Sequence, residues 1–373
     1  MSHQKPYYIG LMSGTSTDAV DAVLALFHTN TGIPKVIEFA SIPMPLPLRQ
    51  DLLALNHFCD NELQRSYMAA QELTQLYAQA VQQLLQASGI TTSEIVAIGA
   101  HGQTVRHHPE LGFSVQLNAP ALLAEICGID VIADFRSRDI AAGGQGAPLV
   151  PAFHAAVFSN ESRRALLNIG GIANLSLLLP QQAVSGFDTG PGNMLMDAWC
   201  YQHTGQAYDQ SGRWGLSAEP NADLLNFLLQ SEPWFALSPP KSTGRDLFNL
   251  QWLQHRLAQF QAHKAAPLSA AQIQATLREL TVSSICQPIH DMDLQELIVF
   301  GGGVQNAALM ASLQSALPSV AVQSSARLGI DPQAMEALAF AWLAKAFTER
   351  QAVCTPAITG ARHATIAGCL YPK

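Results

Sequence analysis

One aspartate among glycines, in Gly186-Phe187-Asp188-Thr189-Gly190-Pro191-Gly192-Asn193, has the surroundings a general base needs. It follows an apolar strand and precedes a predicted helix from Met194, so its carboxylate would sit at an element's end, where a hydroxyl or water can reach it. Asn193 is a good N-cap, and the NH groups of that first turn would suit a phosphate or sugar oxygen. A second pattern is Ser13-Gly14-Thr15-Ser16-Thr17-Asp18-Ala19-Val20. Small residues let backbone NH groups approach an anion, hydroxyls add donors, and Asp18 can hold a magnesium ion directly or through water. A third, Gly301-Gly302-Gly303-Val304-Gln305-Asn306, follows the apolar run 297–300 and would let a flat ligand lie against the backbone. The fourth joins His101-Gly102-Gln103-Thr104-Val105-Arg106-His107-His108 with Asp134-Phe135-Arg136-Ser137-Arg138-Asp139. Gln103, Thr104 and Arg136 suit a hydroxyl-rich ligand carrying a carboxylate. His101, His107, His108, Asp134 and His154 tempt a metal-hydrolase reading, but no HExxH or similarly tight ligand spacing supports it. Walker A and GxGxxG sequences are absent, which argues against P-loop enzymes and ordinary dinucleotide folds.

These residues need strands and helices to hold them. Ser13 to Val20 lies between two apolar runs, and Asn168-Ile169-Gly170-Gly171-Ile172-Ala173-Asn174 repeats that plan at mid-chain. Both read as strand, tight turn, strand, one opening each half of the chain. Helical spacing is predicted for 61–88 (through Leu63, Tyr67, Leu73, Leu76, Tyr77, Ala80, Val81, Leu84 and Leu85, stopped by Gly89), 270–289 and 334–349. Short buried strands at 95–98, 131–133 and 297–300 run into polar or glycine residues, the position where open α/β sheets bind ligands.

A length of 373 residues implies about two domains, expected at 1–160 and 161–349, with 350–373 free to rejoin the first. Only 13% of residues are charged and 48% are hydrophobic, which excludes a disordered chain. A net charge of -8 without a basic cluster argues against nucleic acid and requires any phosphate site to be built locally. The charge-free stretches 140–158 and 165–187 are broken by glycine, proline and polar residues, so spanning helices are not expected. The N-terminus lacks a signal-peptide pattern, and six scattered cysteines without a CxxC pair suit a reducing compartment, so cytoplasm is the expected location.

The blocks IGLMSGTSTDAVD (9–21), AHGQTVRH (100–107), ADFRSRDIAAGGQGAPLVPAFH (133–154), NIGGIANLS (168–176), GFDTGPGNMLMDAW (186–199), PKSTGRDLFN (240–249) and GGGVQN (301–306) occur together and in order. With them the chain resembles the anhydro-N-acetylmuramic acid kinases along nearly its whole length. It departs from the usual family pattern at Ala19, where glycine is expected; the change removes no functional group. The resemblance implies a two-lobed actin-like sugar kinase fold, each lobe an α/β unit on a mixed sheet, with the active site in the cleft between lobes. It implies an enzyme that opens the 1,6-anhydro ring of anhydro-N-acetylmuramic acid with water while ATP phosphorylates the 6-oxygen, giving N-acetylmuramic acid 6-phosphate and ADP in peptidoglycan recycling. It makes Asp188 the base. Ser13 through Val20 (Ser13, Gly14, Thr15, Ser16, Thr17, Asp18, Ala19, Val20) with Gly170 and Gly171 would surround the phosphates and Mg²⁺, and Gly301, Gly302, Gly303 and Asn306 would border adenosine. Gln103, Thr104, Asp134 and Glu336 would bind the sugar, and Arg136 or Arg138 its lactyl carboxylate. A homodimer is also implied. An ordinary hydroxyl-phosphorylating sugar kinase and an actin- or chaperone-like ATPase are the competing readings; the long 101–107 and 144–153 blocks favour a small-molecule pocket over the latter.

Overall fold

The computed structural model describes residues 7–14, 17–27, 32–239, 241–262 and 267–373, so Thr15, Ser16 and Pro240 lie outside the described residues. In chain order the strands are β1 (Tyr7–Ser13), β2 (Ala19–Leu26), β3 (Lys35–Pro43), β4 (Ile95–Ala100), β5 (Gln103–His108), β6 (Phe113–Leu117), β7 (Val131–Ala133), β8 (Arg164–Ile169), β9 (Ile172–Leu178), β10 (Ser185–Pro191), β11 (Glu296–Phe300), β12 (Ala321–Ser324) and β13 (Cys369–Tyr371). They divide between two compact units, Met1–Phe158 with Leu328–Lys373, and Ser159–Arg327.

The first unit carries a mixed sheet in the order β13-β7-β4-β1-β2-β3 and a separate hairpin, β5-β6. β1, β2 and β3 form an antiparallel meander, and β4 and β7 extend it in parallel from β1. The second unit repeats this plan: β8, β9 and β10 form the meander, while β11 and β12 extend it in parallel from β8. The two turns singled out in the sequence are thus the first hairpins of two sheets that share a five-strand topology, to which β13 adds an antiparallel edge strand in the first unit.

Burial explains the flanking helices. Glu62–Ser88 presents Ala69, Leu73, Leu76, Tyr77, Ala80, Val81 and Leu84 to the core at three- and four-residue spacings. It ends at Gly89 with φ +70°, the left-handed stop that glycine permits. Its first turns do not follow the expected stripe, for Leu63 and Tyr67 are 74% and 68% exposed. Met335–Thr348 packs on β1 and β4 where Gly10 and Gly99 stand opposite each other in register. A Cβ on Gly10 would lie 1.8 Å from the Ala337 carbonyl oxygen, and one on Gly99 2.1 Å from that of Phe340. Two facing glycines therefore let the helix rest on the strand backbone, a close approach that any side chain would block. This contact returns the chain to the first unit from Leu328, earlier than the expected boundary at 350, and brings Glu336 with it.

In the second unit β8, β9 and β11 supply the centre of the core through Ala165, Leu167, Ile169, Ala173, Leu175, Leu297 and Val299. The Ala270–Cys286 helix covers that face, started by a capping box at Ser269 and Gln272. Among the described residues, no helix is long and apolar enough to cross a membrane.

Candidate functional site

Two groups of residues gather at strand ends, one in each unit. In the first unit β1 ends at Ser13, whose buried hydroxyl donates to Gln103 Oε1 at 2.5 Å. The phosphate-turn and sugar candidates therefore meet through one hydrogen bond. Thr104 follows on β5 and accepts from Gln116 Nε2 at 3.3 Å. The turn is closed by Thr17 N–H donating to the Gly14 carbonyl at 3.1 Å, with Thr17 at φ +52°. Asp18 is exposed and paired with Arg49 at 2.6 Å. Ala19 and Val20 begin β2. Val20 is fully buried and pairs with Ser13 and Ile42, so its side chain frames the turn and does not line it.

Behind this turn lies a buried polar layer. His101 N–H donates to the Leu11 carbonyl at 3.0 Å, and Gly102 N–H donates to the Tyr77 hydroxyl at 3.1 Å. Burial, then the Arg136 charge, holds the His101 imidazole down at about 3. Arg136 can only donate, so the His101 Nε2 it meets at 2.9 Å accepts, and the neutral ring carries its proton on Nδ1. Arg136 Nη1 also donates to the Gly146 carbonyl at 2.7 Å. Both terminal nitrogens expected to meet a ligand carboxylate are engaged within the protein, whereas Arg138 is exposed. No group of three or more His, Cys, Asp or Glu able to hold a metal occurs among the described residues.

Asp134 follows β7 at φ +54°, and its Oδ1 accepts from Ser137 N–H at 3.3 Å and from the Ser137 hydroxyl at 2.6 Å. Glu336 stands half-buried in the first turn of its helix. Burial, and after it the Asp21 charge, pushes its carboxyl up to about 7. Asp21, opposite Met12 on β2, is itself raised by burial and accepts from the Ser41 hydroxyl at 2.7 Å.

In the second unit β8 and β11 run parallel and end together at Ile169 and Phe300. The Gly170-Gly171 turn follows one strand and Gly301-Gly302-Gly303 the other. A Cβ on Gly301, at φ +82°, would come within 2.4 Å of Asn168 Oδ1, and one on Gly303 equally close to Ile169 Cγ2. Glycine is required for the two turns to touch. The Gly170 and Gly171 carbonyls accept from Asn193 N–H at 2.8 Å and Gly192 N–H at 2.9 Å, bringing the start of the Met194–Thr204 helix to the same place. Asn193 is not the expected side-chain cap: its backbone is already helical, and its Nδ2 donates to the Ile169 carbonyl at 3.2 Å. Asn306 has a structural task as well, capping the Ala307–Ala316 helix through Leu309 N–H at 3.1 Å.

Asp188 lies on β10, and the register sets Asp188 opposite Asn174 and Asn174 opposite Asn168. Directly opposed residues share a sheet face, so an acid and two amides form one polar row near the glycine turns. Asp188 is half-buried; its Oδ2 accepts from Thr243 N–H at 2.9 Å, and its own N–H donates to the Lys241 carbonyl at 3.0 Å. Burial pushes the carboxyl up, while Thr243 N–H and the Ser242 hydroxyl pull it down. Arg245 reaches the Gly171 turn, its Nη2 lying 4.0 Å from where a Gly171 Cβ would stand.

Sequence reasoning did not single out Asn168, Asn174, Arg245, Tyr77 or Asp21 for a site. The spacing of two asparagines, each three residues from Gly171, was a usable signal for the first pair, because a tight hairpin sets such residues side by side.

A family model described as anhydro-N-acetylmuramic acid kinase matches residues 6–373. The protein of that name from Bordetella pertussis is 53% identical over 367 residues, covering 98% of this chain and 96% of that protein. The one from Pseudomonas fluorescens is 46% identical over 369 residues, covering 98% and 99%. Among solved structures, a ROK family glucokinase from Streptomyces griseus in complex with glucose and AMPPNP aligns with a TM-score of 0.40 at 11% identity, over 90% of this chain and 98% of that one.

Proposed function

We infer that this chain, which belongs to the anhydro-N-acetylmuramic acid kinase family, uses Asp188 as the base in an ATP-dependent opening and phosphorylation of 1,6-anhydro-N-acetylmuramic acid. The product is N-acetylmuramic acid 6-phosphate, formed with ADP in peptidoglycan recycling. The observation that carries the assignment of Asp188 is its setting: a half-buried carboxylate, bracketed by backbone at 2.9 and 3.0 Å, in the same unit as the glycine turns.

The substrate dictates the chemistry. Its 6-oxygen is bonded to the anomeric carbon and carries no proton for a base to remove. Asp188 instead takes a proton from water as that water attacks the anomeric carbon, in the manner of an inverting glycosidase. The bond from the anomeric carbon to the 6-oxygen breaks, and the freed electron pair attacks the γ-phosphorus of ATP, so no separate acid is needed for the leaving group. Burial makes Asp188 more basic than an exposed aspartate, and the Thr243 and Ser242 donors keep it ionised for this task.

Phosphoryl transfer otherwise requires positioning and charge neutralisation. Asp18, exposed at the first hairpin turn and paired with Arg49, would hold the Mg²⁺ that accompanies ATP, directly or through water, and the metal would neutralise phosphate charge. Backbone NH groups from Gly14, Gly170 and Gly171, with Arg245 beside the second turn, suit the phosphates. Gly301 to Gly303 offer adenosine a surface without side chains. Gln103, Thr104 and Asp134 present amide, hydroxyl and carboxylate groups suited to sugar hydroxyls. Glu336, its carboxyl raised by burial to about 7, adds a donor in its protonated form. The same reading carries the expectation of a cytoplasmic homodimer, whose oligomeric part gel filtration tests.

Asp188→Asn tests the base. It should lower anhydrosugar-dependent ADP release by roughly 10²–10⁴-fold or more, the usual worth of a general base, while ATP binding stays near wild type. In ¹⁸O-water the wild-type enzyme should place label on the anomeric hydroxyl in its first turnover. Undiminished turnover by the variant would remove Asp188 from the role.

A further inference from the structure

β10 is the edge strand of its sheet, and the segment 241–243 lies against it at Asp188 without regular secondary structure of its own. A free strap of this kind would not hold a carboxylate, because each fluctuation of Thr243 would release Oδ2. The far side of the strap is tied to the turn that bears Trp234. Trp234, 8% exposed in the turn Pro233–Ala236, donates its indole N–H to the Ser242 carbonyl at 2.9 Å. The Lys241 ammonium sits 4.3 Å from the centroid of the same ring and donates to the Phe235 carbonyl at 3.2 Å. A cation so close to an indole face is held by the ring's quadrupole.

The turn bearing Trp234 is fastened in its own right. Glu232, 7% exposed, accepts from Trp234 N–H at 3.2 Å, from Trp252 Nε1 at 2.9 Å and from Arg256 at 3.0 Å. The Trp234 ring also packs edge-on against Phe248, with centroids 5.5 Å apart. A rigid path therefore runs from the helix Leu250–Gln261, through Glu232 and Trp234, to Ser242, and one residue further to the N–H that holds Asp188.

We propose that Trp234 is a positioning residue for the catalytic base: its indole holds Ser242 and Lys241 so that Thr243 N–H stays on Asp188 Oδ2. The proposal rests on the reading of Asp188 as base and deepens it. It also gives the ring type a reason, since phenylalanine would fill much of the same space and stack on the same neighbours while leaving the Ser242 carbonyl without its donor.

Trp234→Phe is the direct test, assayed by kcat and KM for both substrates across pH. Loosening the strap should cost about 10- to 100-fold in kcat, the range produced by slight misplacement of a reacting group, with little change in the KM for ATP. Losing the Thr243 donor destabilises the ionised carboxylate, so the acid limb of the kcat profile should move to higher pH. Burial raises this carboxyl while the Thr243 and Ser242 donors lower it, so the limb reports the strap. A purely structural role for Trp234 would reduce the amount of folded enzyme and leave the kcat per active site and the limb unchanged; that result overturns the proposal. Should Trp234→Phe fold poorly, Lys241→Met leaves the indole bond and removes the ammonium. It should shift the limb in the same direction by a smaller amount, and an unmoved limb again overturns the idea. Inactivity of Asp188→Asn together with normal Trp234→Phe kinetics would sink only this inference, whereas activity in Asp188→Asn sinks the base itself.

Discussion

Glu336→Gln should change how stability depends on pH, and the structure sets the size of the change. Glu336 lies in the first turn of its helix within reach of the Asp21 charge, with burial the larger cause of its raised carboxyl. In the unfolded chain the group releases its proton near 4.5, and in the folded chain at about 7. Between these values the unfolded state is the more ionised, so the contribution to stability is complete below about 4.5, falls as pH rises through the window and levels off above the folded value. At about 1.4 kcal/mol per pH unit, the loss is about 3 kcal/mol. Glutamine keeps the shape without the titration and avoids that loss. Urea unfolding of both proteins, followed by circular dichroism from pH 4.5 to 8.5, should show the variant gaining about 3 kcal/mol relative to wild type across the window, a midpoint difference on the order of 1 M. Parallel stability curves would refute the reasoning, because a solvated Glu336 has no such window. Enzyme activity supplies a second view: if the protonated carboxyl donates to the sugar, Glu336→Gln should hold its sugar KM at pH 8.5 better than wild type does.

Two backbone substitutions test the close approaches in the two units. Gly301→Ala sets a Cβ 2.4 Å from Asn168 Oδ1 at a left-handed φ. That backbone conformation costs about 1–2 kcal/mol outside glycine. ATP affinity by calorimetry should therefore fall about tenfold, with the sugar KM unchanged. An unaltered ATP affinity would show that the cradle lies elsewhere. Gly10→Ala drives a Cβ into the Ala337 carbonyl. It should cost at least the roughly 1–3 kcal/mol typical of overpacking, lowering Tm by about 2–4 °C for each kcal/mol. A wild-type Tm would contradict the contact between β1 and the Met335–Thr348 helix.

Local pattern revealed whatever depends on neighbouring residues. The two hairpins, the helices at Glu62–Ser88 and Met335–Thr348, and the glycines after β8 and β11 were legible because turn geometry and helical period act over a few residues. Standing alone, pattern misjudges tasks set by distant partners. Asn193 looks like a cap from its spacing, yet its side chain is taken by the Ile169 carbonyl. Arg136 looks free for a carboxylate, yet His101 and Gly146 hold it. Leu63 and Tyr67 fit the helical stripe, yet the fold leaves both largely exposed.

The sequence by itself determined the family, the acid among glycines at Asp188 and the small-residue turns, since residue type and short spacing specify these. Tertiary structure alone decided that Glu336 belongs with Asp21, and that Trp234 holds the strap through which Thr243 meets Asp188. The reason is physical. A hydrogen bond or a desolvated charge depends on what the fold brings within a few ångströms, and Thr243 and Asp188 stand 55 positions apart along the chain.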